Sequence, residues 1–150
     1  TIQPLIEQRR VKIEWGREED AEILSIHSHA EILIRNLLEN AVKYADEGST
    51  VRIELSREDG KVILRIENAC AGASELSTDK LFEPFYRPDV SRNSRTGGNG
   101  LGLAISKAVS SANGWTVTLT PLERSVVTEA IFPVTEGTAR TPVTHNAVAS

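Results

Sequence analysis

Aromatic residues are scarce in this chain, 5% of 150 positions, so a surface built to stack exposed bases is not indicated. A basic excess is missing as well: 17 Lys and Arg against 21 Asp and Glu give a net charge of −4, which argues against a broad basic face for nucleic acid. Any polyanion must be met locally. The single cysteine, Cys70, cannot close an intrachain disulfide, and no cysteine pair suggests zinc. No apolar run of about 18 residues and no signal-peptide pattern is present, as expected of a soluble segment in a reducing compartment. A chain that begins at Thr1 is expected to be a piece of a longer protein.

Against these absences stands a local abundance. The stretch TGGNGLGLAIS, residues 96–106, carries Gly97, Gly98, Gly100 and Gly102 and then an apolar helical pattern. Glycine permits close backbone approach to a ligand and positive φ, and a helix N-terminus adds partly positive amides. Loop plus helix is a candidate phosphate site.

The rest reads as one α/β unit, with hydrophobic content, 39%, sufficient for a core. Residues 1–10 suit a short helix or the end of a linker. VKIEW, 11–15, alternates like a strand, and EILSI, 22–26, is a second short apolar run. Ser28 stands three residues before Glu31, an N-cap with capping-box spacing ahead of the periodic run AEILIRNLLENAVKYA. VRIELS and VILRIEN flank Asp59-Gly60, which predicts a β-hairpin over 51–68. Residues 73–100 are mostly polar and glycine-rich around the island LFEPFYRP, an irregular stretch long enough to expect a functional or mobile role. LGLAISKAVSSA is a second helix ended by Asn113-Gly114, and WTVTLT and VVTEAIFPV complete a sheet. Residues 135–150 have no period and are expected to be disordered.

On a helical wheel, Asn36, Asn40 and Lys43 share one stripe, bordered by Leu33 and Tyr44 at the edge of the apolar face. Asparagine is a poor helix former, so two on one stripe cost stability without local gain. An amide oxygen can coordinate Mg²⁺, which takes hard oxygen ligands together with water and phosphate, and Lys43 can reach a phosphate. The glycine loop is not a Walker loop, because Leu103-Ala104 follows Gly102 where Lys and Ser/Thr are needed. Nor does it match a dinucleotide fingerprint, since Gly98, Gly100 and Gly102 alternate after a polar stretch. Arg87, Arg92 and Arg95 precede it against Asp89 alone, which suits a lid that meets phosphate.

Three segments together resemble one family. NLLENAVKYA (36–45), LFEPFYR (81–87) and GGNGLGLAI (97–105) are similar, in order and spacing, to the N box, F box and second glycine box of sensor histidine kinases. The resemblance covers roughly residues 5–134. It implies an α/β (α+β) two-layer sandwich, a mixed β-sheet packed under helices with a mobile ATP lid, over 11–134. Residues 1–10 would then come from a dimerisation domain. By position, it implies that Asn40 coordinates Mg²⁺ with Asn36 helping, that Lys43 binds phosphate and that Tyr44 lies against adenine. Gly98, Gly100, Leu101 and Gly102 would meet the phosphates, while Phe82 and Phe85 would hinge the lid and Arg87 would begin it.

One motif departs from the pattern. The family's first glycine box, D-x-G-x-G, falls on Asn68-Ala69-Cys70-Ala71-Gly72, where only Gly72 survives. Asn68 can accept from an adenine amino group and donate to a ring nitrogen, and Cys70 is read as a small buried hydrophobe. The family's phosphoacceptor histidine context is not matched: His27 and His29 lie at the helix start, and His145 lies in the tail. Glu39 is the one candidate offered for acid or base work. The function expected is that of the ATP-binding catalytic domain of a histidine kinase. It would bind Mg-ATP and phosphorylate a histidine on a separate dimerisation domain, for relay to a response regulator. The alternatives are a degenerate nucleotide-sensing domain of the same fold, a protein serine kinase or a clamp-type ATPase. The resemblance further implies a monomeric fragment of a homodimeric parent and a cytoplasmic domain of an inner-membrane bacterial sensor.

Overall fold

The computed structural model describes residues 3–18, 22–23, 27–76, 82, 102–133 and 141–142. Among the described residues, helices α1 (Gln3–Arg9), α2 (His27–Tyr44) and α3 (Gly102–Asn113) accompany a sheet of β1 (Lys12–Glu18), β3 (Thr50–Glu58), β4 (Lys61–Ala69), β5 (Thr116–Pro121) and β6 (Ser125–Pro133). The strand order is β1-β3-β4-β6-β5. β1 runs parallel to β3 and the other neighbours are antiparallel, so the sheet is mixed.

One face of each element is apolar, and these faces form the core. On α2 the stripe Leu33, Ile34, Leu37, Leu38, Ala41 and Val42 repeats at three- and four-residue intervals and is fully buried. It packs on inward residues of the sheet: Val51, Ile53 and Leu55 from β3, Val62, Leu64 and Ile66 from β4, and Phe132 from β6. Trp115, just before β5, meets Phe132 edge to face with centroids 5.0 Å apart. The opposite face of the sheet is charged. Arg52 pairs with Glu54 at 3.0 Å and lies 3.6 Å from Glu14, and Arg65 stands in register with Glu54 and Glu129. The cross-strand pairs among these contribute about 0.2–1 kcal/mol each, and the charges keep that face in water. The result is the two-layer sandwich implied by the sequence.

Local signals account for the connections. Asp59 and Gly60 both have positive φ, 49° and 73°, the two-residue turn whose twist matches a hairpin. α3 ends with Gly114 N–H on the Ser111 carbonyl and Trp115 N–H on the Ser110 carbonyl, the paired bonds of a Schellman motif. Residues 3–9 are helical, and Leu5 and Ile6 pack against the core.

Two expectations are corrected. α2 starts at His27, so Ser28 lies inside its first turn and not ahead of it. That turn is tied by a tertiary contact: Asn113 Nδ2 donates to His29 Nδ1 at 2.9 Å and to the Val109 carbonyl at 2.8 Å. Within the stretch expected to be disordered, Thr141–Pro142 forms a strand, β7, antiparallel to β2 (Glu22–Ile23). Its partner is distant in sequence, so no local period announces it.

Candidate nucleotide site

Asn40 and Tyr44 are one turn apart on the last half of α2, so their side chains leave the helix on the same side. Both line a cavity under the end of the sheet, together with Asn68, Leu76, Leu103, Leu119 and Val126. The cavity holds about 280 Å³ of space, solvent at its mouth included. Four apolar walls and three polar side chains suit a flat heteroaromatic guest whose edge carries hydrogen-bonding groups.

Asn68 reaches the cavity from β4, where Val51 and Val126 flank it on the neighbouring strands. It is 2% exposed, a buried amide near the end of the central strand. Its Nδ2 points at the Ala69 carbonyl, 3.4 Å away. A carbonyl can only accept, so the amide nitrogen is the group that faces Ala69, and Oδ1 is the acceptor left for another donor. Buried polar groups are costly unless satisfied, and this amide finds a partner in the neighbouring Ala69 carbonyl.

After Asn68 the chain turns sharply. Gly72 takes φ 77°, ψ 15°, the left-handed region that a Cβ disfavours, and it begins the 3₁₀ turn Ala73–Glu75. Leu76 N–H closes on the Ala73 carbonyl at 3.0 Å, and the turn delivers the Leu76 side chain to the cavity. Gly72 therefore acts through the turn. Cys70 is buried beside it, with Sγ 3.8 Å from the Ala71 carbonyl. Burial first, and the negative charge of Asp46 second, push its thiol pKa up. Such a thiol is a poor nucleophile, which agrees with its reading as a small hydrophobe.

α3 begins at Gly102, and Leu103 in its first turn lines the cavity. The amide end of a 12-residue helix thus opens beside the cavity. Phe82 is half-buried against the core, and the Lys107 ammonium of α3 sits 5.2 Å from its ring centroid. The F-box aromatic is held on the helix that follows the glycine loop.

Of the residues expected at the site, Asn40, Tyr44 and Asn68 come together around one cavity. Asn36, Glu39 and Lys43 are half-buried on α2 and do not line it. Phe85, Arg87, Gly98, Gly100 and Leu101 lie outside the described residues. Leu76, Leu103, Leu119 and Val126 were not foreseen. Inward alternation on β5 and β6 marks the last two as core-facing, but only the strand order brings them under Asn68. No three His, Cys, Asp or Glu side chains cluster as a metal site among the described residues. Asn40 offers one neutral oxygen, which fits an ion that arrives with phosphate oxygens and water as its other ligands.

The family of histidine kinase-, DNA gyrase B- and HSP90-like ATPases matches residues 26–138. The chain belongs to that family. It is similar to the signal transduction histidine-protein kinase BaeS of Escherichia coli (strain K12), 36% identical over 97 residues, which are 65% of this chain and 21% of BaeS. In structure it is similar to the mycobacterial sensor histidine kinase MprB, TM-score 0.70 at 22% identity over 88% of each chain. Full-length ShkA in complex with AMPPNP is also similar, TM-score 0.69 at 25% identity over 92% of this chain and 28% of ShkA. Within the ATPase family, then, this is a catalytic ATPase domain of the sensor histidine kinase kind. It spans about a fifth of the length of BaeS.

Proposed function

We propose that the domain binds Mg-ATP with the adenine in the cavity between α2 and the end of the sheet. Convergence of Asn40, Tyr44 and Asn68 on that cavity carries the proposal, because the helix α2 and the strand β4, distant in sequence, turn hydrogen-bonding side chains into one largely apolar space. Tyr44 packs against the base and Asn68 Oδ1 accepts from its amino group. The phosphates run toward the N-terminus of α3, with Lys43 and Asn36 of α2 as their polar partners; Arg87, Arg92, Arg95 and the glycines before α3, which lie outside the described residues, are assigned to phosphate from the sequence. Asn40 would hold Mg²⁺, which supplies charge neutralisation when bound.

In the whole protein the γ-phosphoryl group moves from the β–γ bridging oxygen of ATP to an imidazole nitrogen of a histidine on a dimerisation domain, leaving ADP. A response-regulator aspartate then receives it. Phosphoryl transfer asks the enzyme mainly for positioning and electrostatic stabilisation, which a binding domain of this form supplies. No general base is assigned to this chain; Glu39 stays off the cavity. Residues 11–134 form the catalytic unit, and the parent is a homodimeric membrane sensor. No helix among the described residues is long and apolar enough to cross a membrane.

Calorimetric titration with a non-hydrolysable ATP analogue tests the assignment. Mg²⁺-dependent binding by the wild-type chain, lost in Asn40→Ala, is expected. Binding that survives Asn40→Ala unchanged, or no binding at all by the folded wild type, overturns it.

A further inference from the structure

Residues 45–49, between α2 and β3, join three parts of the molecule. Buried Arg9, at the end of α1, donates through Nη2 to the Ala45 carbonyl, and its own carbonyl accepts from Gly48 N–H at 3.1 Å. Across the loop, Asp46 N–H donates to the Ala69 carbonyl at 2.9 Å and Asp46 Oδ1 accepts the Ala71 N–H at 3.1 Å. The loop is thus clipped to the end of β4 by one backbone bond and one side-chain bond. Asp46 is two residues beyond Tyr44, and Ala69 directly follows Asn68. The clip therefore joins the strand that carries the buried amide to the helix that carries Asn40 and Tyr44.

The acceptors make the coupling specific. The Ala69 carbonyl that takes the Asp46 N–H also takes the Asn68 Nδ2, so one oxygen ties the loop and orients the amide. The Ala71 N–H that Asp46 captures stands directly before left-handed Gly72 and the turn that delivers Leu76. Asp46 is exposed and does not line the cavity, so it touches no ligand there. Its carboxylate is also cheap to lose in stability, since water can satisfy an exposed N–H in its place. What water cannot do is hold the Ala69–Gly72 backbone at a set distance from α2.

We infer that Asp46 is a positioning residue for the base end of the nucleotide site, acting through the Ala69 and Ala71 backbone on Asn68 and Leu76. This rests on the assignment of the cavity to a nucleotide base. Asp46 then governs discrimination between bases more than affinity for phosphate, because the elements it joins lie at the cavity and not at the glycine stretch.

The test compares ATP and GTP affinities, by competition against a fluorescent ATP analogue, for the wild-type chain, Asp46→Ala and Asp46→Asn. Circular dichroism checks the fold of each. Asp46→Ala is expected to lose about tenfold in ATP affinity, the effect of one positioning hydrogen bond, with GTP affinity changed much less. Asp46→Asn keeps an Oδ1 acceptor and is expected to restore the ATP preference. Equal losses for ATP and GTP would mean a general structural role and overturn the inference, as would unchanged ATP affinity in Asp46→Ala or no rescue by asparagine. A wild-type chain that binds neither nucleotide fails at the nucleotide assignment itself, and the inference falls with it.

Discussion

Lys107 and Phe82 are joined by a cation–π contact: the ammonium on α3 sits 5.2 Å from the centroid of the aromatic ring, which is half-buried against the core. A cation over a ring face is attracted by the ring quadrupole, by about 0.5–1 kcal/mol at an exposed position. The pair connects the F-box segment to the helix whose first turn lines the cavity. A double-mutant cycle with Lys107→Gln and Phe82→Leu, followed by urea denaturation, is expected to give a coupling energy in that range. Strictly additive effects would show that the contact contributes nothing.

Gly72 predicts a local and measurable strain. Its φ of 77° places any L side chain in the left-handed region, at a cost of about 1–2 kcal/mol. Gly72→Ala should lower the stability of the domain by about that amount. It should also weaken ATP-analogue binding, because the turn it opens carries Leu76 to the cavity wall. Equilibrium denaturation and calorimetry read the two effects separately.

Cys70 gives the domain a pH dependence on the alkaline side. Burial, helped by the Asp46 charge, raises the folded thiol pKa above its ordinary value of 9.0. In the unfolded chain the thiol loses its proton near that ordinary value, while the folded chain still holds it. Folded protein therefore binds more protons above pH 9, and stability falls as pH rises, by at most about 1.4 kcal/mol per pH unit. Below pH 9 the thiol is protonated in both states and contributes no slope. Denaturation midpoints measured between pH 8 and 10.5 should show the decline, and Cys70→Ala should lose the part that the thiol contributes.

Much of the fold was legible because its signals are local. The stripe from Leu33 to Val42 announces a helix with one buried face, and alternation in VRIELS and VILRIEN announces strands. Asp59-Gly60 and Asn113-Gly114 mark a tight turn and a helix end through the conformations those residues tolerate. The site was legible in part for the same reason: Asn40 and Tyr44 share a helix side by periodicity alone. Asn68 was placed by the order and spacing of motifs, since nothing near it in sequence distinguishes it from an ordinary strand residue.

What the sequence by itself determined, then, is the set of elements and which of their faces turn inward, because helix and strand periods and turn conformations are properties of neighbouring residues. Tertiary structure alone decided the strand order β1-β3-β4-β6-β5, which puts Val126 beside Asn68 and brings Leu119 to the same cavity. It also decided that Arg9 would hold the end of α2, that Asn113 would hold His29, and that Asp46 would clip α2 to β4. These are bonds between groups far apart along the chain. Their geometry exists only after the core has packed, because burial of the shared apolar faces, and no local preference, brings the partners within reach.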